Sequence, residues 1–226
     1  MDHISQTDTS KDMRKVSNMK RSAFTLFELM VVIIVIGILM AMALPRIERD
    51  NRQEAADHIL SAIQYTQQLA LVDNKVSTAG NWQMKLWAIR FTVSTANYEN
   101  TYYTIGTDED NSSAISKTEA AIDPANGKYL FNTNGAFATI AKDESPNAFI
   151  GYNYGINGIT FSGGCSNGSL VAFDYLGRPF VGIGAARNNY ATYMTSDCNI
   201  TFSFISNPKN LSIIIEKQTG HAYIAN

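Results

Sequence analysis

Cysteine, histidine and charge are all scarce in this chain, and each shortage removes a class of function. Only two of 226 residues are cysteine, Cys165 and Cys198, neither in a C-x-x-C pair, and the three histidines, His3, His58 and His221, lie far apart. No zinc-site spacing can be assembled from such a set, and residue order nominates no Ser, His and Asp arrangement. The sequence therefore predicts no catalytic residue, no metal and no cofactor. Charged residues make up 17% of the chain and the formal net charge is −2, which leaves no basic field of the kind that draws nucleic acid. The segment "GIGAAR", Gly182 to Arg187, imitates the opening of a dinucleotide loop but lacks the third glycine and a following apolar helix. "DEDN", Asp108 to Asn111, lacks the alternating ligands and glycine of an EF-hand loop and reads as a solvated acidic loop, the alternative being a Ca²⁺ gathered by its carboxylate and carbonyl oxygens.

Long hydrophobic runs are equally rare, with one exception. "FTLFELMVVIIVIGILMAMALP", Phe24 to Pro45, is apolar throughout except for Glu28 near its start. Its twenty-one residues before the proline rise about 31 Å as a helix, which matches a hydrocarbon core of roughly 30 Å. The preceding residues 1–23 carry five Lys/Arg against three Asp/Glu, and Arg14, Lys15, Lys20 and Arg21 place that side in the cytoplasm, so the rest of the chain is exported. A secretory signal peptide would also be basic, and "AMA" at 41–43 resembles its cleavage site, but the run exceeds the 7 to 15 apolar residues such a peptide uses. Periodicity alone leaves a plain signal anchor open. What speaks against that reading is Glu28, because an ionised side chain costs roughly 2.5 to 3.5 kcal/mol in mid-membrane and less toward a helix end. Such a residue asks for a partner.

Beyond Pro45, Ile47, Ala55, Ile59, Ala62, Ile63, Thr66, Leu69 and Ala70 recur at helical spacing and form one apolar stripe. Pro45 has no N–H and predicts a kink or break between the membrane half and this amphipathic half, which should end near "NKVSTAGN". From Trp82 the spacing becomes strand-like in "MKLWAIRFTVS", "YENTYYTIG", "SLVAFDYLGRPFVGI", "NITFSFIS" and "LSIIIEKQTGHAYIA". A slip near Ile89 suggests a bulge. Gly177 and Gly220 are placed to supply positive φ in hairpin turns, and Asp108 to Asn147 reads as loops with a strand or two. Tyr102 with Tyr103 and Tyr152 with Tyr154 read as one face of a sheet, with a binding surface as the alternative. The fold class expected is α+β: a long kinked helix packed on a mainly antiparallel sheet. The divisions expected are 1–23 leader, 24–44 transmembrane helix, 45–80 amphipathic helix and 81–226 head. Two cysteines in an exported head fit a single disulfide, the alternative being two unrelated buried thiols.

"KRSA" followed by "FTLFELMVVIIVIGILMAMALP" closely resembles the signal of type IV pilins and type II secretion pseudopilins: a basic leader, a cut before Phe, an F-T-L-x-E-L core and an unbroken apolar helix. The resemblance implies cleavage by prepilin peptidase between Ala23 and Phe24 and N-methylation of Phe24. The leader ends in Ala23 where the family normally has glycine. It also implies that Glu28, fifth from Phe24, pairs with the free amine of a neighbouring subunit during assembly. The head patterns "NWQMKLWAIRF", "FDYLGRP" and "LSIIIEKQTGHAYI" look like those of minor pseudopilins of the H type and related minor pilins, while Cys165 and Cys198 are similar to the C-terminal disulfide loop of type IV pilins. The implied partners are other pilin or pseudopilin subunits, prepilin peptidase and the inner-membrane assembly platform, with the head in the periplasm. The function expected is a structural subunit of a pseudopilus. The alternative is a minor pilin at a filament tip acting in DNA uptake or adhesion. After leader removal the formal charge is −4, so DNA is an unfavoured partner unless a local basic patch supplies it.

Overall fold

The computed structural model describes residues 25–73, 75, 77–78, 82, 85–110, 112–166, 168–183 and 189–225; within 42–50 and 189–190 it describes the backbone only. The first element is a helix, α1, Leu26–Val72. Its backbone stays helical through Pro45, whose side chain lies outside the described residues. Helical geometry ends at Val72, short of the expected boundary at 80. Asp73 still donates its N–H to Leu69 O at 2.9 Å, but its carboxylate accepts from Trp87 Nε1 at 2.8 Å and pairs with Lys75 at 2.8 Å, which turns the chain toward the first strand.

Residues 45–226 form one compact unit. Among the described residues it contains eight strands: β1 Trp87–Thr92, β2 Tyr102–Thr107, β3 Ile156–Gly163, β4 Leu170–Phe173, β5 Pro179–Phe180, β6 Cys198–Phe204, β7 Leu211–Ile215 and β8 Ala222–Ala225, with a short helix α2, Ile150–Tyr154, before β3. These make two antiparallel four-stranded sheets in the orders β2-β1-β4-β5 and β3-β6-β7-β8, where one sheet was expected. The arrangement is α+β and pilin-like, a long helix followed by antiparallel sheet.

The stripe on α1 is the common floor of both sheets. Ala55, Ala56, Ile59, Ala62, Ile63 and Ala70 are buried in one cluster with Ile89, Phe91, Tyr103, Ile105, Val171 and Phe173 of the first sheet and Ile200, Phe202, Leu211, Ile213 and Ile215 of the second. In the second sheet β6 and β7 alternate buried and half-buried residues, as expected for a sheet with one face toward the core. The first sheet differs. Ala88, Leu170, Ala172 and Phe180 join Leu86 and Ile115 in a second cluster, while Ile89 and Val171 face the main core. Both faces of β1 are therefore covered, which is why its sequence lost strict alternation. The bulge expected near Ile89 is absent: β1 pairs with β2 in unbroken register from Trp87↔Thr107 to Thr92↔Tyr102. The irregularity lies in β3 instead, between Ile156 and Gly158.

The stretch from Asp108 to Asn147 carries 3₁₀ turns and isolated bridges rather than named strands, and carboxylates hold it together. Asp123 accepts from Ala125 N at 2.8 Å, Asn126 Nδ2 at 3.0 Å, Ser145 Oγ at 2.5 Å and Asn147 Nδ2 at 2.9 Å. Buried Glu144 accepts from Lys117 Nζ at 3.0 Å and Thr133 N at 3.1 Å. These acids satisfy polar groups that a loop lacking ladder partners would otherwise leave orphaned.

Two hairpin tips, one from each sheet, meet on a single helix side chain. Gln67 Nε2 donates to Gly177 O at 3.0 Å and to Thr219 O at 2.8 Å. Gly177 and Gly220 have φ of 76° and 67°, the positive values expected of them. A Cβ on Gly220 would stand 2.3 Å from Gly177 O and 2.7 Å from Gln67 Nε2, whereas one on Gly127, at φ 72°, would meet nothing. Gly127→Ala is expected to cost about 1 kcal/mol, from backbone strain alone, and Gly220→Ala at least about 3 kcal/mol, because the clasp on α1 must also open. Chemical denaturation of both variants in detergent checks the difference.

Candidate assembly site and head groove

At the start of α1, sequence and geometry agree on a capping arrangement. Thr25 precedes the first helical residue, and its Oγ1 accepts from Glu28 N at 3.2 Å, while Thr25 O accepts from Leu29 N at 3.2 Å. The spacing Thr-x-x-Glu is that of a capping box, with Glu28 at the third helical position. Helix geometry thus fixes where this carboxylate starts, one turn from the N-terminus, where the partial positive charge of the helix end favours an anion by about 0.3 to 1 kcal/mol. This is smaller than the roughly 2.5 to 3.5 kcal/mol that a charge costs in mid-membrane. Glu28 is exposed and belongs to a helix start flanked by Leu26 and Phe27, which are 87% and 74% exposed. Ala23 and Phe24 lie outside the described residues.

From Leu26 to Met40 every large side chain on α1 is exposed, including Val31, Ile34, Ile38 and Leu39, so apolar surface faces all directions. A helix greasy all round belongs in lipid or among other helices. Among the described residues no helix is long and apolar enough to cross a membrane. Described side chains in this run stop at Ala41, short of the roughly 20 residues that a span requires.

In the head, Cys165 and Cys198 form a disulfide across 33 residues of sequence, joining the turn after β3 to the start of β6. Closing a loop of that length removes denatured-chain entropy equivalent to about 3 to 4 kcal/mol. Asp108, Asp110 and Glu119 bring carboxylate oxygens within 4.8 Å of one another. Their oxygens are engaged by N–H donors: Ser112 and Ser113 on Asp108 at 2.9 Å, and Glu109, Asp110 and Ser116 on Glu119 at 2.6, 3.1 and 2.8 Å. These bonds staple the loop. Of the tyrosines, Tyr103 is buried in the core, and Tyr152 and Tyr154 lie on α2 rather than on the sheet face expected, with Tyr152 stacked on Phe137 at a centroid distance of 3.6 Å.

One groove of about 670 Å³ opens on the head, between α1 and the residues around α2. It is lined by Glu54, Asp57, His58, Ser61, Asn147 and Tyr154 together with Gln53. His58 Nε2 lies 3.2 Å from Tyr103 Oη, and its ring sits against those of Tyr103 and Tyr154 at 5.8 and 5.6 Å. Its Nδ1 is buried with no partner among the described residues. Burial lowers the His58 pKa below its ordinary value, and the opposing pull of Asp123 and Glu54 does not restore it. Nothing in the sequence marks a partner for His58 among the widely spaced histidines, and its neighbours from α2 are visible only once the chain is folded. Thr25 could have been found from its spacing to Glu28.

With this geometry in view, the comparison with known families is specific. Residues 18–44 match the prokaryotic N-terminal methylation motif. No curated protein and no solved structure matches the chain. The chain carries a type IV pilin-like prepilin signal, and this match supports a pilin-like filament subunit.

Two measurements follow from the site. Thr25→Val should remove the cap and weaken the first turn by about 1 kcal/mol, read as faster amide exchange at Glu28 in micelles, with Thr25→Ser close to wild type. Because the His58 pKa is lowered on folding, the unfolded chain takes up this proton more readily. Head stability should be complete above pH 6.5 and decline as pH falls below it, and His58→Gln should flatten that part of the profile in denaturation series at pH 7.5 and 5.0.

Proposed function

We propose that the protein is a minor pseudopilin of type II protein secretion. In this reading the apolar part of α1 spans the inner membrane with residues 1–23 in the cytoplasm. Prepilin peptidase cuts between Ala23 and Phe24 and methylates the new Phe24 amine, and the assembly platform draws the chain into a periplasmic pseudopilus beside its sister subunits. The observation that carries the proposal is Glu28 in the first turn of α1, the one charged residue of the apolar run Phe24 to Leu44 that the matched segment 18–44 contains.

The physical step is charge compensation. Cleavage creates a positive amine four residues before Glu28. The dipole of its own helix returns only part of what the carboxylate loses in lipid, so a positive group from an adjacent subunit is the natural counterion. Apolar helices provide contact area with little preferred register, and the ion pair selects one register. Pro45 would give the helix a place to bend between lipid and periplasm.

A second reading is a minor type IV pilin at a filament tip. The Cys165–Cys198 disulfide favours it, since the resemblance places such a loop with pilins more than with pseudopilins. Adhesion fits the net charge of −4 better than DNA uptake does.

The expected mature chain begins at a methylated Phe24, which intact-mass measurement of the membrane-extracted protein checks. An uncut leader or a cut after Ala43 would refute the proposal. Glu28→Val should reduce recovery of the chain in isolated filaments more than tenfold, with Glu28→Asp in between. Loss of exoprotein release on deletion of the gene would separate the pseudopilin from the pilin reading, which instead expects loss of adhesion.

A further inference from the structure

Ala23 stands before the expected cut where the resembled family normally has glycine. Alanine is the best helix former and glycine one of the poorest, a difference of about fivefold in the helix equilibrium at a single position. The sequence also offers the helix two starts, since Ser22 and Thr25 are both capping residues, three positions apart in "SAFT". A helix capped by Ser22 would take Ala23, Phe24 and Thr25 into its first turn, and the Ala23 carbonyl would then accept the N–H of Phe27. A carbonyl engaged in that way is closed to attack on the Ala23–Phe24 bond.

The geometry at Thr25 selects the other start. Thr25 is not helical, α1 begins at Leu26, and Thr25 Oγ1 accepts from Glu28 N at 3.2 Å. Sequence explains the choice: Thr25 has Glu28 at the third helical position, whereas Ser22 has Thr25 there and neither Glu nor Gln. In a helix that begins at Leu26, the N–H groups of Leu26 and Phe27 have no carbonyl one turn behind them.

We propose that Thr25 is a positioning residue for leader removal: its cap halts α1 short of the Ala23–Phe24 bond, a task that glycine at position 23 would share. The proposal rests on the processing reading above and adds what keeps the scissile bond outside the helix. The reaction itself is hydrolysis, in which water adds across the bond, leaving a carboxylate on Ala23 and an amine on Phe24. A residue acting in this way sets the share of chains able to bind the peptidase, so its loss raises KM and leaves kcat unchanged.

The test follows cleavage of the full-length precursor by its prepilin peptidase in detergent micelles. Thr25→Ala removes the cap and adds a helix former; it is expected to raise KM roughly fivefold at constant kcat and to slow amide exchange at Leu26 and Phe27. Thr25→Val loses the same hydroxyl, but its branched side chain resists the helix, so its KM should stay within about twofold of wild type, as should that of Thr25→Ser, which still caps. Ala23→Gly placed in the Thr25→Ala chain should bring KM back to that of Ala23→Gly alone, a comparison in which any preference of the peptidase for glycine cancels. An unchanged KM in Thr25→Ala, or equal losses in Thr25→Ala and Thr25→Val, would overturn the proposal and leave the processing reading standing. A wild-type precursor that the peptidase does not cut between Ala23 and Phe24 removes that reading, and the proposal with it.

Discussion

The head depends on a stripe of small and branched residues on one helix. Ala55, Ala56, Ala62 and Ala70 leave room for strands to approach α1, and Ile59 and Ile63 fill the space between them, so two sheets share one core. Alanine contributes little transfer energy of its own; its value is that Phe91, Phe173 and Phe202 can reach the helix and bury far more. Gln67 then ties a hairpin of each sheet to the same helix through two carbonyls. A polar residue in a mostly apolar stripe is tolerated because both of its hydrogen bonds are made.

That dependence links the two ends of the chain's function. The helix that begins with the prepilin signal is the helix that supplies the floor of the head. Its first described residues are apolar on every side and exposed, while its last turns are apolar on one side only and find that side covered. The first pattern calls for a partner outside the chain and the second for one inside it.

Glu28 illustrates how magnitudes decide between readings. The Thr25 cap holds the backbone of the first turn and leaves the carboxylate untouched, and the helix dipole favours the anion by about 0.3 to 1 kcal/mol, less than a membrane charge costs. A local explanation therefore covers a minority of the cost. The remainder is what an amine freed by cleavage could supply, and this is why the acid is read as an assembly group rather than as a cap alone.

The sequence by itself determined the long helix, the β-rich head, the hairpins at Gly177 and Gly220, and most of the strands, because each rests on local periodicity or on a backbone conformation that one residue type allows; the prepilin signal was legible in it as a resemblance over residues 18–44. It did not reveal α2 and β3: the spacing of Tyr152 and Tyr154 suggests a sheet face where the chain forms α2, and the Asn- and Gly-rich Ile156–Gly163 becomes a strand because β6 offers it a ladder. Nor did it reveal that the strands divide into two sheets, that β1 is covered on both faces, or that His58, Tyr103 and Tyr154 meet beside Glu54 and Asp57. Those facts come from contacts between residues tens of positions apart, which only tertiary packing brings together.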